Sequence, residues 1–169
     1  MSQNPYAPPN APVVDPEATD VEYAGFWIRV GAALIDTVLI LAITYPLLIA
    51  IYGRAYFNLA RTSFIAGPAD FTISWLGPAA VSVLFWVSKQ ATPGKMAVSA
   101  KVVDARTGNT LSVGQAIGRY LGYCLSILPL GLGIFWVAFD ARKQGWHDKL
   151  AGTVVVRSKA SRTKPVSFE

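Results

Sequence analysis

The chain has 169 residues, 53% of them apolar and only 15% charged, with fifteen Lys and Arg against ten Asp and Glu. That length holds at most one domain with tails, and so apolar a composition excludes an ordinary soluble domain. The basic residues flank apolar windows, a pattern of membrane topology that argues against nucleic-acid binding.

Before Arg29 there is no Lys or Arg, but there are four acids and a Pro-rich opening, Asn4-Pro5-Tyr6-Ala7-Pro8-Pro9. This composition predicts a disordered tail over residues 1–20 and gives no cleavable signal peptide. The first apolar run, Val30 to Tyr52, is long enough to span the roughly 20-residue hydrocarbon core and would be an uncleaved anchor. It contains one charge, Asp36. A carboxylate at that depth costs at least ~2.5 kcal/mol, so it needs a partner or a purpose. Arg29 lies seven residues earlier on the same helix face, about two turns or roughly 10 Å away. Ala32 and Ala33 between them allow a second helix to approach closely. Two readings stand side by side. In one, Arg29 snorkels to phosphates and Asp36 makes a polar contact within the bundle. In the other, Asp36 binds a cation or proton and Arg29 tunes it.

The second apolar window is Phe71–Ser88 and the third is Tyr120–Phe139, interrupted by Pro129-Leu130-Gly131-Leu132-Gly133. Proline removes a backbone donor and glycine lowers helix propensity. Cys124, the only cysteine, lies in this window, so no intramolecular disulfide forms. Three full crossings would split the loop and tail cations five against nine. If the third segment enters and returns, the segments around Lys89–Arg119 and Arg142–Lys164 share a side, and the split is twelve against two. The positive-inside rule favours the second arrangement, with both termini cytoplasmic. Trp75, Trp86, Trp136 and Trp146 sit near window borders as interface anchors.

Thr92-Pro93-Gly94-Lys95 reads as a turn and Val98–Asp104 as a short strand. Gly152–Arg157 is a second strand candidate, and pairing the two into a ribbon requires both on one side of the membrane. Ser112 is placed to cap a helix, along which Gly114, Gly118, Gly122 and Ser126 form a small-residue seam for close packing. Arg119 lies beside that seam and is a candidate partner for Asp36. His147 and Asp148 alone do not make a metal site, and the sparse polar residues offer no hydrolytic triad. No enzyme chemistry, metal or cofactor is therefore expected.

Three stretches in this order resemble the RDD family of small bacterial membrane proteins: Gly25-Phe26-Trp27-Ile28-Arg29-Val30 through Ala33-Leu34-Ile35-Asp36, then Thr92-Pro93-Gly94-Lys95, then His147-Asp148-Lys149-Leu150-Ala151-Gly152-Thr153-Val154-Val155. The resemblance runs from about Tyr23 to Arg157. It implies that the family's arginine is Arg29, its first aspartate Asp36 and its second Asp148, with Asp140 the competing assignment. It also implies a role in ion or ligand transport.

The expected architecture is an all-α membrane protein of the bacterial inner membrane. It has two transmembrane helices, a broken or re-entrant third segment and a small cytoplasmic β-ribbon. The membrane domain is placed at 21–157, followed by a basic tail at 158–169. The polar constellation is Arg29, Asp36 and Asp148, with Asp140 and Arg119 as further candidates. It serves either as a transport site or as a structural lock in a scaffold protein. The expected partners are the lipid bilayer and further copies of the chain, with room for an unidentified membrane protein.

Overall fold

A computed structural model describes residues 21–58 and 63–158. In chain order it contains β1 (Val21–Tyr23), α1 (Phe26–Tyr52), α2 (Pro68–Lys89), α3 (Pro93–Ala97), β2 (Ala100–Asp104), α4 (Val113–Ile127), α5 (Leu132–Ala138), α6 (Trp146–Ala151) and β3 (Thr153–Ser158). The expected N-terminal tail and nearly all of the basic C-terminal one lie outside the described residues. Ser158, assigned to the tail, is instead the last residue of β3.

Helices α1 and α2 are each long and apolar enough to cross a membrane, and only 6% of each apolar window is buried within the chain. At 1.5 Å per residue the 27 residues of α1 extend about 40 Å, more than the roughly 30 Å hydrocarbon core. Within α2 the turn Thr72–Leu76 widens, and the Gly77 N–H bonds back to the Thr72 carbonyl five residues away. Pro78 follows directly and has no N–H to continue the ordinary ladder. The third apolar segment bends by 113° between α4 and α5. Leu130 and Gly131 take positive φ there, at 54° and 79°.

The three strands form one antiparallel sheet in the order β1-β3-β2. Val102 pairs with Val155 and Asp104 with Thr153, while Tyr23 pairs with Val156. Strands that share hydrogen bonds lie on the same side of any bilayer the helices cross. If α1 and α2 both cross, two crossings separate β1 from β2, and the pairing of β2 with β3 requires the bent pair α4–α5 to end on the side where it starts. The apolar core of this surface cap includes Ala24, Val102, Leu111, Ala116 and Val155, packed on Trp86 at the end of α2.

Two local departures from the sequence reading have simple causes. The Thr92-Pro93-Gly94-Lys95 stretch opens a short helix, with Thr92 as its N-cap and proline in the first turn, where its missing N–H costs nothing. The ribbon gains a third strand, β1, which follows directly on the expected tail and pairs with residues about 135 positions away. Ser112 does cap α4: its Oγ accepts from the Gln115 N–H at 3.2 Å, and Gln115 Oε1 accepts from the Ser112 N–H at 3.0 Å.

Candidate functional site

Asp148 is fully buried in the first turn of α6. Arg29 near the start of α1 donates through Nη1 to Asp148 Oδ2 at 2.5 Å, and the Gly145 N–H donates to the same oxygen at 3.0 Å. Arg119 of α4, itself fully buried, pairs through Nη1 with the other oxygen. The same Nη1 donates to Thr153 Oγ1 at 2.6 Å. Arg29 uses its whole fork: Nε donates to the Ala24 carbonyl at 3.0 Å and Nη2 to the Lys143 carbonyl at 2.5 Å. One carboxylate thus ties together the entry to α1, the middle of α4, the loop after α5 and the start of β3. A lysine at position 29 lacks the planar fork needed for these three contacts.

Burial by itself pushes the Asp148 carboxyl upward, but the guanidiniums of Arg119 and Arg29 outweigh it and hold the group well below the usual carboxylate range. His147 goes the other way for a base. Burial is the main cause and Arg119, Arg29 and Lys95 add to it, so its pKa is pushed down to about 3 and the ring is neutral near pH 7. The ring stacks on Tyr123 at 4.0 Å between centroids, and Tyr123 in turn stacks on Trp86 at 6.2 Å. The Arg119 guanidinium rests on this stack, 5.3 Å from the Trp86 centroid and 5.8 Å from that of Tyr123.

The small-residue seam of α4 is used over half its length. A Cβ on Gly122 would meet the His147 backbone at 2.9 Å, so glycine there lets α6 lie against α4. Ser126 receives the His147 N–H at 3.1 Å and is packed by Gly133 of α5. Gly114 and Gly118 have no such close neighbour.

Asp36 belongs to a different cluster. Its Oδ2 accepts from Thr92 Oγ1 at 2.5 Å and its Oδ1 from the Gly94 N–H at 2.7 Å. The Lys95 Nζ lies 3.4 Å from the same threonine hydroxyl. A Cβ on Gly94 would sit 2.0 Å from the Ala32 carbonyl, so only glycine lets α3 come this close to α1. Asp36 is half-buried and, with Thr92, Lys95 and Tyr120, lines a cavity of about 480 Å³ bordered by α1, α2, α3 and α4. The constellation expected from sequence therefore divides. Arg29 and Asp148 come together, whereas Asp36 binds Thr92 and Gly94. Arg119 is the partner of Asp148 rather than of Asp36. Asp140 lies outside both clusters: it pairs with Lys149 at 2.5 Å and accepts the Arg142 and Gln144 N–H groups of its own turn.

The model of the RDD family matches residues 23–152. The chain belongs to the RDD family. Two proteins of Bacillus subtilis are similar over most of their length. The uncharacterised protein YxaI is 33% identical over 79% of this chain and 96% of its own, and the uncharacterised membrane protein YteJ is 31% identical over 83% and 84%. The uncharacterised protein RP437 of Rickettsia prowazekii is 41% identical over 45% of this chain, and the match spans only 42% of that relative. No solved structure matches. Of the two candidates for the second family aspartate, Asp148 is the one paired with Arg29, the residue expected to be the family arginine.

Sequence reasoning missed Thr92, Gly94 and Thr153 as site residues. The Thr-Pro-Gly order carried a usable signal, since threonine followed by proline is a helix start. Thr153 carried none, being one residue in a β-branched strand.

Proposed function

We propose that this protein is a component of ion or small-ligand transport in the bacterial cytoplasmic membrane, with Asp36 as the exchangeable group and the Arg29–Asp148–Arg119 set as the lock that holds the membrane domain to its surface cap. The observation that carries this reading is the contrast in access. Asp148 is fully buried between two guanidiniums, whereas Asp36 is half-buried and lines a cavity of about 480 Å³. A carboxylate that loads and unloads a cation or proton needs space beside it for the ion to arrive, and of the two only Asp36 lines a cavity of that size. The open flanks of α1 and α2 support assembly of several copies around a shared pathway, because two crossings enclose little by themselves. The twelve-to-two distribution of cations supports a cytoplasmic location for the sheet and for both ends of the chain.

The test is Asp36→Asn in proteoliposomes loaded with a pH-sensitive dye. The expected result is loss of cation-driven proton movement with the protein still folded. Undiminished movement overturns the reading.

A second reading, a non-transporting scaffold, is favoured by one observation: both Asp36 oxygens are held by donors of the α3 turn. In that case Asp36→Asn lowers thermal stability and abundance, and no cation-driven flux appears in the wild type.

A further inference from the structure

A second cavity, of about 150 Å³, lies between α1, α3, α4, α5 and α6, and three cationic side chains line it: Arg29, Lys95 and Arg119. Asp148, which pairs with two of them, does not line it, and the His147 ring that does is neutral. Counting Asp148 against the three cations leaves two positive charges. If Asp36, which lines the neighbouring cavity with Lys95, is also counted, one remains uncompensated.

The donor pattern agrees. Arg119 is fully buried, yet its Nε and Nη2 make no well-aligned hydrogen bond among the described residues, because Asp148 and Thr153 are both served by Nη1 and the one further acceptor close by is the Tyr123 hydroxyl. The N–H groups of Nε and Nη2 point the same way along one edge of the guanidinium. That edge is the fork by which arginine grips two oxygens of an oxyanion. Leaving such donors buried and unpaired is costly. Lys95 is also buried, and among the described residues its side chain makes one hydrogen bond, a long one of 3.4 Å to Thr92 Oγ1. Two oxygens for the fork and a third for the ammonium describe a phosphate better than a carboxylate. The volume is too small for a drug-sized ligand, and apart from the Tyr123 and His147 rings the rest of the lining is apolar, including Phe26, Val30 and Val137.

We propose that this cavity is a phosphate-binding site, with Arg119 and Lys95 as its ligating residues, that takes either the headgroup phosphate of an anionic membrane lipid or a free phosphate ion. Basic pockets between membrane helices bind lipid headgroups by the same chemistry. The site shares Lys95 with the Asp36 cavity, but its readout is phosphate-dependent stability and does not depend on the transport reading, which rests on Asp36.

The experiment measures the thermal unfolding midpoint of the full chain in bilayer nanodiscs. One arm replaces a neutral phosphatidylcholine bilayer with one containing phosphatidylglycerol. The other keeps the neutral bilayer and adds inorganic phosphate. A ligand at a hundredfold excess over its Kd raises the midpoint by roughly 5–10 °C in a protein of this size. The gain is expected in the wild type and in Lys101→Gln, a surface charge control, and is lost in Lys95→Gln. Lys95→Arg, which keeps the charge, is expected to retain most of it, so a folding defect at position 95 is distinguishable from a lost ligand. A gain with phosphatidylglycerol alone assigns the site to lipid, and a gain with inorganic phosphate assigns it to the soluble ion. No gain in either arm, or an equal gain in wild type and Lys95→Gln, overturns the proposal.

Discussion

Two of the aspartates of this chain, Asp148 and Asp36, are solvated in opposite ways. Asp148 receives two guanidiniums, from α1 and α4, elements that must come together for the domain to close, and the amide of Gly145 at the start of its own helix. Asp36 receives one hydroxyl and one amide, both from a single short turn, and keeps a face toward a cavity. Charge opposes charge at the first, while dipoles solvate charge at the second. Removing a buried countercharge strands its partners, whereas removing a dipole-solvated charge leaves neutral groups that tolerate a neutral isostere. The contrast is testable by substitution.

The largest effect is expected from Asp148→Asn. It leaves the fully buried Arg119 and most of Arg29 without a counterion, and breaking a buried pair in this way costs about 3–5 kcal/mol. Chemical denaturation in detergent micelles measures it, and a loss below 1 kcal/mol would mean that the two arginines find other partners. Gly94→Ala is next. Its Cβ would overlap the Ala32 carbonyl, so α3 must shift away from α1 at a cost of about 1–3 kcal/mol. Intact packing in this variant would show that Asp36 does not need the close approach.

Acid sharpens the same contrast. The folded-state pKa of His147, pushed down to about 3, lies below the unfolded value near 6.5. As pH falls below 6.5 the unfolded chain takes up a proton that the folded chain refuses, so stability falls. Between pH 7 and pH 5 the loss is about 2 kcal/mol. Asp148 adds its own loss only below the unfolded carboxylate value of about 4, as pH drops toward its depressed folded value. A His147→Asn variant whose midpoint falls just as steeply from pH 7 to 5 would remove His147 from this account. Asp36→Asn is expected to cost about 1 kcal/mol, because the amide oxygen still accepts one of the two hydrogen bonds. Asp140→Asn is the smallest, at most about 1 kcal/mol, since Lys149 is 45% exposed.

What could be read from sequence followed from local pattern. The two spans showed in the length of the apolar runs, the 113° bend in Pro129 and the glycines after it, and two of the strands in their alternation. The side-chain partners were harder to see. Arg29 and Asp148 are 119 positions apart, and no periodicity links them; the family motif did. Arg119 was visible as a charge bordering an apolar window, but its direction was not. Asp36 was hardest to place, because one of its two donors is the backbone N–H of Gly94, and a backbone donor has no residue signature. The short strand β1 went unread for a similar reason: three residues after a polar tail gain strand character only from a partner supplied by the far end of the chain.

The long reach from Arg29 to Asp148 also sets a schedule. At 5–20 residues per second, a ribosome needs roughly 6–24 s to travel the 119 positions between them. Through that interval Arg29, and later Arg119, leave the translocation machinery as bare cations, since the carboxylate that neutralises them has not been made. In the proposed orientation they act as topology signals while the helices are being inserted. Asp148 can cancel their charge only after the apolar segments before it have been made. Asp36, made only seven residues after Arg29, is held instead by Thr92 and Gly94, so the partner of Arg29 is the late one.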